Sequence, residues 1–258
     1  LLLGNCYLLK QGSYIISYNN RAEKMDDLLE KEDLDPELRE IFLLVKKIKA
    51  FATEELGLNE DKNYSTYVKI DKDYLVDVVS ACKKERFEGY TWWYPSFGRF
   101  PYKGFFERKD ALKEVKALKK KNLDVLMRKV DAFSTLGFFT DPFYSYMAEY
   151  SIYSLASLII HEQTHATIWL KDQVQFNEEL ATFIGREGAL VFIKKTFGKE
   201  SEEYKKGIGR IEDNKRFIGH MKSLYRDLNE LYTMDIDAEI KVQVRGYIIR
   251  AFKQRFGS

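Results

Sequence analysis

The sequence predicts an α+β fold: a mixed N-terminal part with helices and a small sheet, then a helical half. Two observations carry this. Between Tyr64 and Phe106, aromatic and β-branched residues cluster and are interrupted by Gly and Pro, which is the texture of short strands. After Ser145 the residues read as helix almost to the end. Four prolines and fifteen glycines in 258 residues leave few natural breaks, and no internal repeat or low-complexity linker divides the chain.

In order, the stretch from Arg21 to Leu56 is helical in pattern, most clearly over "DPELREIFLLVKKIKAFATEEL". Asp35 is placed as an N-cap and Pro36 at the first helical position. Leu38, Phe42, Val45, Ile48 and Ala52 fall on one stripe. "YSTYVKI", "DYLVDVVSAC" and "YTWWYPSFGRFPYKGFF" read as strands. "ERKDALKEVKALKKKN" is a charged amphipathic helix, and "LDVLMRKV" is another strand. "STLGFFTDPFYS" is a loop, because Gly137 and the Asp141-Pro142 pair break regular structure.

Composition narrows the function classes. Apolar residues make up 45% and charged residues 32%, which places the chain with globular proteins. Lys and Arg number 42 against 40 Asp and Glu, so no net field points to nucleic acid, and the basic run at Lys116–Asn122 fits a solvated helix face. The two cysteines, Cys6 and Cys82, make neither a disulfide framework nor a zinc knuckle. "LLLGNCY" reads as the end of a bacterial lipoprotein signal with Cys6 as the lipid acceptor, although Asn5 stands where Gly or Ala is common. No segment approaches the roughly 18 uninterrupted apolar residues of a membrane span.

Two of the three histidines lie in "SLIIHEQTHATIWL", Ser157 to Leu170. On a helix, His165 lies about 40° round from His161 and one turn along, so both imidazoles point the same way. Zinc takes imidazole nitrogens at about 2.0–2.1 Å, and adjacent turns can supply two. Glu162 lies about 60° from His165 in projection. It can reach a water on the metal without ligating the metal, which is the mechanical content of the H-E-x-x-H pattern. Apolar flanks on both sides predict a buried helix, where two histidines and a glutamate need partners.

An open catalytic site needs a third protein ligand. Twelve residues beyond His165, "QFNEELATFIGREGA" presents Asn177 as an N-cap and Glu178 and Glu179 in the first helical turn. Either glutamate can ligate on spacing alone. Thr182, one turn past Glu178, is placed to hydrogen-bond a histidine ligand from behind.

The pair "HEQTH" and "NEELATF" resembles the gluzincin metallopeptidases, in which two histidines and a downstream glutamate in an N-E-x-x-A context hold zinc. The resemblance selects Glu178 over Glu179. It is closer to a bacterial family of zinc aminopeptidases that are predicted membrane lipoproteins, matched also at Ile48–Leu58, Tyr94–Phe106 and Leu123–Pro142. The Cys6 stretch falls where that family carries its lipid-attachment cysteine. Gln163 and Thr164 depart from the family's "HELAH" core. Family members also continue beyond "FKQRFGS" with a further helical segment, so part of the cleft is expected outside this chain.

The resemblance implies residues 1–20 as a lipoprotein-type N-terminus and linker. Residues 21–258 then form a single zincin-like metallopeptidase domain, mixed over 21–145 and helical over 146–258. It implies Zn²⁺ held by His161, His165 and Glu178, with Glu162 as the general base of peptide-bond hydrolysis by an aminopeptidase. The expected partners are a peptide and, through a lipid on Cys6, the bacterial cell envelope on its periplasmic or outer side. Tyr102 and Tyr225 are candidates for the oxyanion donor. Glu179 and Glu187 are available to hold a substrate's free α-amine. The competing expectation is a membrane-anchored binding protein with a structural or vestigial zinc site, whose fourth position a residue such as His220 would close.

Overall fold

The computed structural model describes residues 2–94, 98–131 and 140–256, with side chains from Tyr7 onward. The side chain of Cys6 and the loop expected around Gly137 lie outside the described residues. In chain order the elements begin with α1 (Leu2–Asn20), β1 (Glu23–Lys24), α2 (Met25–Leu29) and α3 (Pro36–Glu54). The strands β2 (Thr66–Val68), β3 (Val76–Cys82), β4 (Trp92–Tyr94), β5 (Gly98–Phe100) and β6 (Lys103–Phe105) follow. Then come α4 (Arg108–Lys120), β7 (Asp124–Val130), β8 (Phe143–Tyr144) and a 3-10 turn at Ser145–Glu149. The chain closes with α5 (Ile152–Thr167), α6 (Val174–Phe197), α7 (Glu202–Thr233) and α8 (Ala238–Phe256). This is an α+β fold with small sheets and a helical C-terminal half. Two compact units form: residues 1–14, 74–134 and 213–258 make the first, and residues 15–73 and 135–212 the second.

The first unit is built on β3, which pairs antiparallel with β7 on one edge and with β6 on the other. Val79 and Ala81 of β3 join Trp92, Tyr94, Phe105, Ala111 and Leu118 in one buried cluster. Ala111 and Leu118 are the buried residues of α4, so that helix meets the sheet along one narrow stripe and leaves its lysines to solvent. Asp77 is buried in β3 at 1% exposure. Its carboxylate accepts from the Tyr74 hydroxyl at 2.9 Å and from the Arg108 guanidinium at 3.0 Å, which meets the need of a buried charge for partners.

The second unit holds α2, α3, α5 and α6 and a sheet of order β1-β2-β8. Asp35 caps α3, accepting from the backbone N–H groups of Glu37 and Leu38, with Pro36 in the first turn. Phe42, Val45, Ile48, Phe51 and Ala52 form its buried face, while Leu38 is half-buried. The helical pattern expected from Arg21 to Leu56 is broken: β1 pairs with β2, and α2 ends at Leu29. The Arg39 guanidinium donates to the carbonyls of Leu29 and Lys31 across the break, both at 2.6 Å, satisfying them outside any helix. Phe143 and Tyr144, read from sequence as loop, form β8, which runs parallel to β2. The two residues are buried at 0% and 7% exposure, so the short strand is held by its side chains as well as its ladder. Among the described residues, no helix is long and apolar enough to cross a membrane.

Candidate metal centre

The site stands on α5, whose first turn is capped by Ser151 accepting from the Ser154 N–H at 3.2 Å. Leu155, Ala156, Ile159 and Ile160 are buried at 1% exposure or less. The last turns are pinned from behind. Gln163 Nε2 donates to Thr53 Oγ1 and to the Asn59 carbonyl, both at 3.3 Å. Thr167 Oγ1 donates to the Gln163 carbonyl at 2.7 Å and accepts from the Asn59 N–H at 2.8 Å. Gln163 and Thr164, which stand between the histidines, thus belong to the helix's anchored side: they are buried at 0% and 1%, and neither joins the ligand cluster.

The opposite side carries His161 and His165. Their Nε2 atoms lie 3.0 Å apart. Glu178 comes from α6, with Oε2 3.5 Å from His161 Nε2 and Oε1 3.4 Å from His165 Nε2. Tetrahedral coordination at about 2.0–2.1 Å sets ligand–ligand edges near 3.3 Å, and these separations bracket that value. The three side chains form a group able to hold a metal ion. Burial lowers the His161 pKa, the neighbouring His165 lowers it further, and Glu178 opposes both; burial thus favours the neutral form, which is the one that ligates. His165 Nδ1 is buried without a hydrogen-bond partner among the described residues. Glu178 is 54% exposed, so the cluster opens to solvent on that side.

Two features bring α6 into place. Asn177, read from sequence as the N-cap, lies inside the helix, which starts at Val174 with Gln173 as its cap. Its buried amide instead reaches back, donating to the Leu170 carbonyl at 2.8 Å and accepting from the Leu170 N–H at 3.0 Å. That clamp holds the α5–α6 turn closed directly before Glu178. Gly185 supplies the close helix approach: a Cβ there would sit 2.6 Å from the Ser157 carbonyl oxygen and 3.2 Å from His161 Cβ. Gly185→Ala is therefore expected to push α6 away from His161, costing about 1–3 kcal/mol in overpacking and weakening zinc binding. Zinc titration and thermal melting check this; an alanine variant with unchanged zinc affinity would show that the approach does not govern the site.

Glu162 is set apart from the ligand group and makes no hydrogen bond among the described residues. Burial first, then the charges of Asp141, Glu178 and Asp61, push its carboxyl up to about 7. Sequence reasoning missed its neighbourhood. Tyr64 is 3% exposed and has a φ of 56°, an outlier for a bulky side chain. Its burial raises the phenol pKa, with Glu162 and then Asp141 adding to the effect. The available signal was faint: Tyr64 begins the "YSTYVKI" strand and Asp141 the Asp-Pro break, and neither pattern marks chemistry.

The remaining candidates are dispersed. Thr182 is half-buried one turn beyond Glu178, and the α6 groups that raise the His161 pKa are Glu178 and the Ala181 backbone. Glu179 is exposed and accepts from Gln175 Nε2 at 2.8 Å, and Glu187 is exposed. Tyr102, Tyr225 and His220 belong to the first unit. Tyr102 is 43% exposed, Tyr225 stacks on Phe87, and His220 packs against Phe252 and Phe256.

A family model described as "Putative aminopeptidase" matches residues 6–258. The chain belongs to this family. Membership places it among the peptidases, with peptide as the substrate class. No curated protein and no solved structure matches the chain.

Proposed function

We propose that the chain is a zinc-dependent aminopeptidase of gluzincin type, in which His161, His165 and Glu178 hold the metal and Glu162 is the general base. The observation that carries this reading is the convergence of two imidazole Nε2 atoms and both Glu178 oxygens on one point, with Glu162 next to His161 on the same helix and outside the group. Zinc bound there supplies Lewis acidity toward a water and the substrate carbonyl. The chain's own residues do the rest. Glu162 takes the proton of the attacking water and returns it to the leaving amine. Gln163 and Thr167 anchor the back of α5, so the imidazoles keep their aim. The half-exposed Glu178 favours an open, hydrolytic site over a closed, structural one.

Hydrolysis of a panel of free and N-blocked peptides tests the proposal. Expected is cleavage of free-amine peptides that chelation abolishes and added zinc restores. Cleavage that survives complete zinc removal would overturn it. The Cys6 reading adds a lipid tether to the bacterial envelope: the protein expressed from its full-length gene should fractionate with membranes, and Cys6→Ala should release it. Membrane association unchanged by that substitution would remove the tether from the proposal.

A further inference from the structure

The chain that joins the ligand helices α5 and α6 is apolar where it meets solvent. Ile168, Trp169, Leu170, Val174 and Phe176 are all large apolar side chains left exposed, and they fall between His165, the last ligand of α5, and Glu178, the ligand of α6. Single exposed apolar residues are ordinary, but a run of them rimmed by polar residues marks a surface that a partner covers. The two charged residues within the run, Lys171 and Asp172, cancel, so what it offers a partner is apolar area and not charge.

Two of these residues border the ligands. The Trp169 ring packs edge-on against the His165 imidazole, with centroids 5.5 Å apart and planes at 70°, and it is still 56% exposed. Its backbone is held through the next residue, because the Asn177 amide bonds both the N–H and the carbonyl of Leu170. On α6, Val174 lies about 40° round from Glu178 and one turn before it, so the two share one side of the helix, and Val174 is 60% exposed. Phe176 is 48% exposed but stands about 200° round from Glu178, on the other side. Apolar surface therefore borders the cluster from both ligand helices, through Trp169 and Val174. The substrate class of the family is peptide. In a peptide, the side chains flanking the scissile bond branch from the carbons attached to its carbonyl carbon and to its nitrogen. A site that holds this bond consequently has those side chains beside it.

We propose that Trp169, assisted by Val174, binds a large apolar side chain flanking the scissile bond and so selects peptides that carry one there. The assignment rests on the hydrolytic reading of the metal centre, and its test is built on binding so that the two can fail separately. In the zinc-loaded Glu162→Gln protein, calorimetry compares trialanine with Phe-Ala-Ala and Ala-Phe-Ala, in which phenylalanine flanks the first peptide bond on opposite sides. One phenylalanine peptide should bind at least about 10-fold tighter than trialanine. Adding Trp169→Ala should bring that ratio to about 1, with trialanine binding unchanged, and adding Val174→Ala should lower the ratio about 3-fold. Trp169→Phe, which keeps an aromatic ring at the position, should preserve most of the preference. Phe176→Ala removes exposed apolar surface from the same run and should leave the ratio intact. Because the readout is a ratio between peptides on one protein, a partial loss of zinc that weakens all of them does not move it. No preference for either phenylalanine peptide, a ratio that survives Trp169→Ala, or an equal fall in Phe176→Ala would each overturn the assignment. A ratio that survives Trp169→Ala, while the same substitution abolishes sedimentation with phosphatidylglycerol vesicles or self-association in the ultracentrifuge, would give the run to a membrane surface or a second copy instead. Wild-type protein that shows the preference yet hydrolyses none of the three peptides would count against the hydrolytic reading alone. Hydrolysis of all three with equal kcat/KM would count against the Trp169 assignment alone.

Discussion

Glu162→Gln is expected to keep about one zinc per chain while hydrolysis falls by about 10²–10⁴-fold, the range for losing a general base. The side chain keeps its length and most of its polarity, but it can no longer take a proton from water. Zinc is retained because the three groups that converge are His161, His165 and Glu178, and Glu162 is not among them. The wall around Glu162 is otherwise unchanged, since its carboxylate makes no hydrogen bond among the described residues that glutamine would have to reproduce. In an isolated pH-independent step the loss should fall on kcat, with KM little altered, because proton transfer belongs to the transition state and not to ground-state binding. Metal analysis alongside steady-state kinetics reads both numbers. Zinc lost together with activity would make Glu162 a ligand; activity retained with zinc in place would assign the base to another group.

The second large effect concerns the ligands. His161→Ala and His165→Ala should each drop zinc stoichiometry far below one per chain at micromolar metal, because two remaining ligands hold zinc poorly. Glu178→Gln should lower zinc affinity, with part of the activity returning in excess zinc. Glu179→Gln should change affinity little, since its carboxylate faces solvent and bonds only Gln175. Titration of zinc into the four apo-variants, followed by hydrolysis, ranks them. Full occupancy in either histidine variant, or loss of metal from Glu179→Gln with Glu178→Gln unaffected, would dismantle the assignment.

Much of the fold is legible in local chemistry. Asp35 and Pro36 mark the start of α3 because an N-cap acceptor and a missing N–H solve a problem confined to one turn. The strand texture of β3 and β7 and the charged face of α4 are readable for the same reason: alternation and the helical period are properties of a few neighbouring residues. Errors arise where a distant partner decides. The stretch from Arg21 to Leu56 does not form one helix: Glu23 and Lys24 pair with β2, and the Arg39 guanidinium bonds the carbonyls of Leu29 and Lys31 in the gap before α3. Phe143 and Tyr144 become a strand because β2 lies alongside.

The same division runs through the site. The sequence by itself determined that His161 and His165 share one side of a helix with Glu162 offset from them, since a rotation of 100° per residue needs no tertiary information. It left Glu178 and Glu179 equivalent on spacing. Only the tertiary structure separates them. The Asn177 clamp on Leu170 and the close approach at Gly185 set the rotation and distance of α6, and that rotation turns Glu178 toward the imidazoles and leaves Glu179 in solvent. Tyr64 and Asp141 could not be read from the chain at all. They lie 77 residues apart, and one backbone hydrogen bond joins them between segments that only folding brings together.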